Sequence, residues 1–127
     1  MNKTSTILND RIEVVIIDDN KSLLWLLQQV LETEHICHKV ASTGIDGIKL
    51  INEHHPRLAI IDIKLGSVSG IDIAKQIPDI CEETKILFIT GYTNSVFEID
   101  KNLPVLGILE KPFDVKDFLK ILRDVLN

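Results

Sequence analysis

Residues 58–62 read Leu58-Ala59-Ile60-Ile61-Asp62, an apolar run that ends abruptly in a carboxylate. The run is too short for a buried helix, and Lys64, Gly66, Ser67, Ser69 and Gly70 follow it, so it reads as a fully buried parallel strand. Asp62 then stands at the strand's carboxyl end. In open α/β sheets the ligand crevice lies outside the carboxyl ends of the strands, so an aspartate there is better placed for chemistry than for packing.

The same pattern recurs on both sides of this run. Upstream, Glu13-Val14-Val15-Ile16-Ile17-Asp18-Asp19 is a β-branched run closed by two acids. Downstream, Lys85–Thr90 is a buried run closed by a hydroxyl and Gly91, and Val105–Leu109 leads into Glu110-Lys111-Pro112. His35–Ala41 is shorter of apolar residues, as an edge strand should be. Between the strands the period changes to that of a helix. Leu23, Leu24, Leu27, Val30 and Leu31 mark a first helix from Lys21 to about Glu34, with Asn20 as its N-cap. Ile45, Ile48, Leu50 and Ile51 mark a second, closed by Pro56 after His55. A third starts near Gly70, carries Ile71, Ile73, Ala74 and Ile77, and is ended or kinked by Pro78. A short, poorly amphipathic fourth helix is expected between Asn94 and Lys101. The last, Val115–Leu126, aligns Phe118, Leu119, Leu122 and Leu126 behind an Asp114 N-cap.

Five strands alternating with five helices predict an α/β fold: a doubly wound, five-stranded parallel sheet of order 2-1-3-4-5, flavodoxin-like, with helices on both faces. This order makes strands one and three neighbours at the switch point. A chain of 127 residues, 45% hydrophobic and 26% charged, suits one domain. Residues 1–11 read as a short polar leader and residues 12–127 as that single domain. A net charge of −5 without a basic run argues against direct nucleic-acid binding. No apolar run approaches the ~20 residues of a membrane span. Cys37 and Cys81 have no metal-ligand spacing and suit a reduced, cytoplasmic protein.

On this sheet Asp18, Asp19, Asp62, Thr90 and Lys111 all fall at one carboxyl edge, around one pocket. Any of these alone could be a helix cap. Five of them, in or just after the ends of four apolar runs, ask for another reason. Three adjacent carboxylates repel unless a hard cation neutralises them, and an oxygen-only donor set favours Mg²⁺ over zinc. A carboxylate beside such a metal can attack a phosphoryl group, while the ammonium of Lys111 and the hydroxyl of Thr90 take up developing charge.

These residues are where the chain resembles the receiver domains of two-component response regulators. The resemblance rests on Asp18-Asp19, on Asp62 with Gly70 eight residues on, on Thr90-Gly91 and on Lys111-Pro112, and covers the chain from Glu13 onward. It implies that Asp62 is the phosphoacceptor, fed by a sensor histidine kinase or a histidine phosphotransfer protein. It implies that Asp19, Asp62 and the backbone carbonyl of Lys64 bind Mg²⁺, with Asp18 helping through water. It implies that Lys111 pairs with the phosphate and precedes a cis peptide bond. It further implies a domain that catalyses only its own phosphorylation and dephosphorylation and is no enzyme otherwise. A downstream protein would read the switch on the face of the fourth helix, fifth strand and fifth helix; homodimerisation stays open, and the 127 residues are expected to hold the receiver alone, whether it stands by itself or belongs to a longer regulator or hybrid kinase. Three departures stand out. Gly66 replaces the proline of many receivers and is expected to loosen its loop. Ile108 stands where the family usually has an aromatic switch residue. Lys64 and Tyr92 occupy positions that flank the acyl phosphate and are expected to slow its hydrolysis. Two other readings remain beside this one: a Mg²⁺-dependent phosphohydrolase with Asp62 as nucleophile, and an interaction module whose acids are remnants.

Overall fold

The computed structural model describes residues 11–91 and 99–127. Its five long strands are β1 (Val14–Ile17), β2 (His38–Ala41), β3 (Leu58–Asp62), β6 (Lys85–Thr90) and β7 (Val105–Glu110), all parallel. The sheet order is β2-β1-β3-β6-β7, which is 2-1-3-4-5 when only the long strands are numbered. The described helices are α1 (Lys21–Thr33), α2 (Gly44–His54), α3 (Gly70–Ile80) and α4 (Val115–Leu126). The expected leader, apart from Arg11, and most of the expected fourth helix lie outside the described residues, as does Tyr92.

Side-chain alternation along the strands sorts the core into two layers, one on each face of the sheet. Val14, Ile16, Leu58, Ile60, Leu87 and Ile89 pack against Leu24, Leu27 and Leu31 of α1 and Phe118 and Leu122 of α4. Val15, Ile17, Ala59, Ile61, Ile86 and Phe88 pack against Ile51 of α2 and Ile71, Ile73, Ala74 and Ile77 of α3. Each fully buried aliphatic or aromatic side chain contributes roughly 1.5–3 kcal/mol of transfer free energy, so strands buried on both faces hold the centre of the sheet rigid. That rigidity fixes the positions of the residues at the strand ends.

Local chemistry sets the helix starts. Asn20 accepts a hydrogen bond from the Leu23 N–H, Thr43 from Asp46, Ser69 from Ile71 and Asp114 from Lys116, each satisfying an orphan donor of a first turn. Of the two effects expected of Pro78, an end or a kink, the first does not occur: α3 runs on to Ile80 and is capped by the Cys81 N–H bonded to the Ile77 carbonyl. Ile77 and Ala74, buried against the sheet, hold the helix through the proline.

A second difference lies just after β3. The Gly/Ser loop is a two-stranded antiparallel hairpin, β4 (Lys64–Leu65) and β5 (Val68–Ser69), pairing Lys64 with Ser69 and Leu65 with Val68. Gly66 has φ +61°, a left-handed value, whereas Ser67 does not. Glycine at the first central position of a two-residue hairpin is what a type II′ turn demands, and its twist matches that of the flanking strands. So Gly66 tightens this segment rather than loosening it.

Candidate functional site at the carboxyl edge of the sheet

Parallel register carries the polar residues to one edge. Ile17 pairs with Ile61, Asp62 with Ile89 and Thr90 with Glu110, so Asp18, Asp62, Thr90 and Lys111 emerge side by side. Asp18, Asp62 and Thr90 are buried, Lys111 is half-buried, and Asp19 is exposed. Carboxylate oxygens of Asp18, Asp19 and Asp62 all lie within 4.8 Å of one another. The ammonium of Lys111 sits 3.1 Å from Asp18 Oδ2 and 3.1 Å from Asp62 Oδ2. The Lys111-Pro112 peptide is cis, as the resemblance implied.

Backbone N–H groups hold each acid in place. Asn20 donates to Asp18 Oδ1 at 2.8 Å, Lys64 to Asp62 Oδ1 at 3.2 Å and Gly66 to Asp19 Oδ2 at 3.1 Å. Gly70 closes the loop behind Asp62, where its N–H donates to the Ile63 carbonyl at 2.6 Å. A Cβ on Gly70 would meet the Asp62 carbonyl oxygen at 1.9 Å, which is why a glycine stands eight residues after the acid. The Thr90 carbonyl accepts from the Lys111 N–H at 2.7 Å and so ties the last two strand ends together.

Electrostatically the pocket is short of positive charge. Burial, then the neighbouring Asp18, push the Asp62 carboxyl above its ordinary range, against the opposing pull of Lys111 and of the Lys64 N–H. For Lys111 burial favours the neutral amine, but Asp18 and Asp62 outweigh it and raise its pKa. Asp18 Oδ2 is enclosed, touches the ammonium, and accepts no aligned hydrogen bond among the described residues. An enclosed carboxylate oxygen whose ammonium neighbour is shared with a second buried acid, beside two further carboxylates, fits a hard cation or the water around one. Among the described residues no His or Cys joins this set.

All five residues singled out in the sequence thus meet at one edge, and the Lys64 backbone joins them. Two contributors were not anticipated: the N–H of Gly66 on Asp19, and that of Asn20 on Asp18. The Leu65-Gly66-Ser67-Val68 stretch carried the signal for the first, as glycine in a two-residue gap between apolar residues marks a hairpin.

Residues 14–123 match the response regulator receiver domain. The chain belongs to that family. This receiver domain is 30% identical over 110 residues to the acid tolerance regulatory protein ActR of Sinorhizobium medicae, covering 86% of this chain and 57% of ActR. It therefore spans little more than half the length of that relative. Sporulation initiation phosphotransferase F of Bacillus subtilis is 26% identical over 115 residues, covering 90% of this chain and 93% of its own. Among solved structures, the CheY-like receiver domain protein of Methanospirillum hungatei superposes with a TM-score of 0.81 at 27% identity, covering 90% of this chain and 92% of that one. Receiver domains are signalling domains, which in two-component systems act with histidine kinases and output partners, and the acidic cluster fits the phosphoacceptor site of such a domain. Among the described residues no helix is long and apolar enough to cross a membrane.

Proposed function

We propose that Asp62 accepts a phosphoryl group from the phosphohistidine of a sensor kinase or phosphotransfer protein, and that residues 12–127 act as one cytoplasmic switch domain. The observation that carries this reading is the Lys111 ammonium 3.1 Å from both Asp18 and Asp62, in a buried pocket whose negative charge it only partly offsets. Asp19, Asp62 and the Lys64 carbonyl would hold Mg²⁺, with Asp18 acting through water. The ion would lower the repulsion between the acids and the incoming phosphoryl oxygens.

An Asp62 oxygen attacks phosphorus, the P–N bond to the donor imidazole breaks, and the imidazole leaves with a proton from solvent. The strand end presents that oxygen to the crevice, while the Lys64 N–H on Oδ1 fixes the carboxylate plane. The Lys111 ammonium then moves its attraction from the acids to a phosphoryl oxygen, and the Thr90 hydroxyl takes another. Lys64 beside the acid, together with Tyr92, slows attack of water on the product. The domain thus catalyses only its own phosphorylation and dephosphorylation.

The added charge draws Thr90 and Lys111 inward together, because their backbones are hydrogen-bonded. With Ile108 in place of a ring, this backbone link takes over the coupling to β7. The reading partner, whether an output protein or a second copy, then docks on β7 and α4. Leu106 and Ile108 are exposed apolar side chains there, and Leu106, Ile121 and Val125 line a groove of about 420 Å³. The test is incubation with acetyl phosphate and with a panel of phosphorylated histidine kinases. We expect Mg²⁺-dependent, stoichiometric labelling that Asp62→Asn abolishes. Label retained in Asp62→Asn refutes the assignment, and steady phosphate release with multiple turnovers would point to a phosphohydrolase.

A further inference from the structure

We propose that Gly66 is a positioning residue for the cation site, holding Asp19 in its ligating orientation through a hairpin turn whose positive φ glycine favours and proline forbids. The inference rests on the reading of Asp19 as a metal ligand. Asp19 is the exposed member of the three acids and stands just past the end of β1. A free carboxylate there would rotate, and its ordering would be a cost of every binding event. The hydrogen bond from the Gly66 N–H to Oδ2, at 3.1 Å, removes that freedom and leaves the other oxygen for an ion shared with Asp18 and Asp62.

Steric room does not explain the glycine, since a Cβ built on it meets nothing within 4 Å. Conformation does. A φ of +61° lets the two-residue turn close, and the turn aims the N–H across the pocket mouth at a residue 47 positions away. Proline, which many receivers carry at this position, has φ locked near −65° and no N–H, so it can neither make this turn nor donate this bond. The hairpin strands β4 and β5 run directly into Gly70 and α3, so the donor is anchored to the same segment that carries Asp62 and Lys64. One loop therefore places two of the proposed ligands and orients the third.

The experiment is calorimetric titration of the whole, metal-stripped chain with Mg²⁺. Removing a group that orients a metal ligand commonly weakens binding 10–100-fold, and for this exposed site we expect the lower figure, about tenfold, in Gly66→Pro. Gly66→Asn keeps the N–H and tolerates a left-handed φ, so it should bind within about twofold of the native chain. Asp19→Asn should abolish most of the binding. Native affinity in Gly66→Pro overturns the proposal while leaving Asp19 as a ligand; native affinity in Asp19→Asn overturns the ligand assignment itself, and the proposal with it. A measurement on the unsubstituted chain stands apart from any folding defect. By NMR the Gly66 amide proton should be protected from exchange in the metal-free protein and should lose that protection in Asp19→Ala, which has no side-chain acceptor. Free exchange in the native chain would equally overturn the proposal.

Discussion

The two ends of the sheet treat charge in opposite ways. At the amino-terminal edge, three arginines line a hollow of about 480 Å³ together with Glu13, Glu34 and Cys37. There Arg57 donates to the Leu126 carbonyl at 2.9 Å and the Val125 carbonyl at 2.8 Å, Arg11 donates to the His55 carbonyl at 2.7 Å, and Arg123 pairs with Glu34 at 3.2 Å. Every one of these guanidinium groups has a partner that the fold supplies. Arg57 in particular satisfies carbonyls left open at the end of α4, where a cation also meets the helix dipole favourably. At the carboxyl edge, one ammonium serves two buried acids while a third acid stands at the mouth. A hollow whose arginines all have partners within the fold is architecture; a pocket whose acids outnumber its cations is where a ligand belongs.

The comparison breaks first at Lys111. Lys111→Met leaves two buried carboxylates without a cation, which should cost about 3 kcal/mol of stability in EDTA, the low end for a broken buried pair because Lys111 is half-buried. Millimolar Mg²⁺ should recover most of that loss in chemical denaturation. A variant as stable as the native chain in EDTA would mean that the acids do not repel. Next comes Arg57→Ala, which removes two hydrogen bonds to the carbonyls of α4. Partial exposure of the side chain limits the cost to about 1–2 kcal/mol, and the thermal midpoint should fall while phosphorylation of Asp62 is unchanged. Loss of labelling in this variant would dissolve the distinction between the two edges.

The smallest effect sharpens the contrast most. Because burial and Asp18 raise the folded-state pKa of Asp62, its ionisation opposes folding. The stabilisation belongs to the protonated form, is complete below the ordinary carboxylate range, and is lost as pH rises through the raised folded-state value. Asp62→Asn mimics the protonated form. In EDTA it should therefore melt at a higher temperature than the native chain at neutral pH, and the gap should close as pH falls through the acid range. An equal gap at every pH would assign the effect to packing instead. Added Mg²⁺ should raise the melting temperature of the native chain, and that of Asp62→Asn much less.

Much of this was legible along the chain. Asp62, Asp18 and Asp19 stand out because each interrupts a run that is otherwise wholly apolar, and an interruption at the end of a strand has a fixed location once the strands are parallel. Asn20 and Asp114 were readable as caps because capping depends on residues only two or three positions apart. Pro78 misled as a stop because its usual effect is local, whereas Ala74 and Ile77 hold α3 past it by burial against the sheet. Gly66 misled for a related reason. Its role depends on the sign of one dihedral angle and on an acid 47 positions earlier.

The order of apolar runs, the caps between them and the polar residues that close each run were enough to determine a parallel doubly wound sheet with its acids on one edge, since period and punctuation are properties of neighbours. Only the tertiary structure decided how those acids share one ammonium, which of their oxygens is enclosed, and which backbone N–H faces each. Those facts arise where segments distant in sequence meet at distances near 3 Å, and a linear pattern carries no information at that scale.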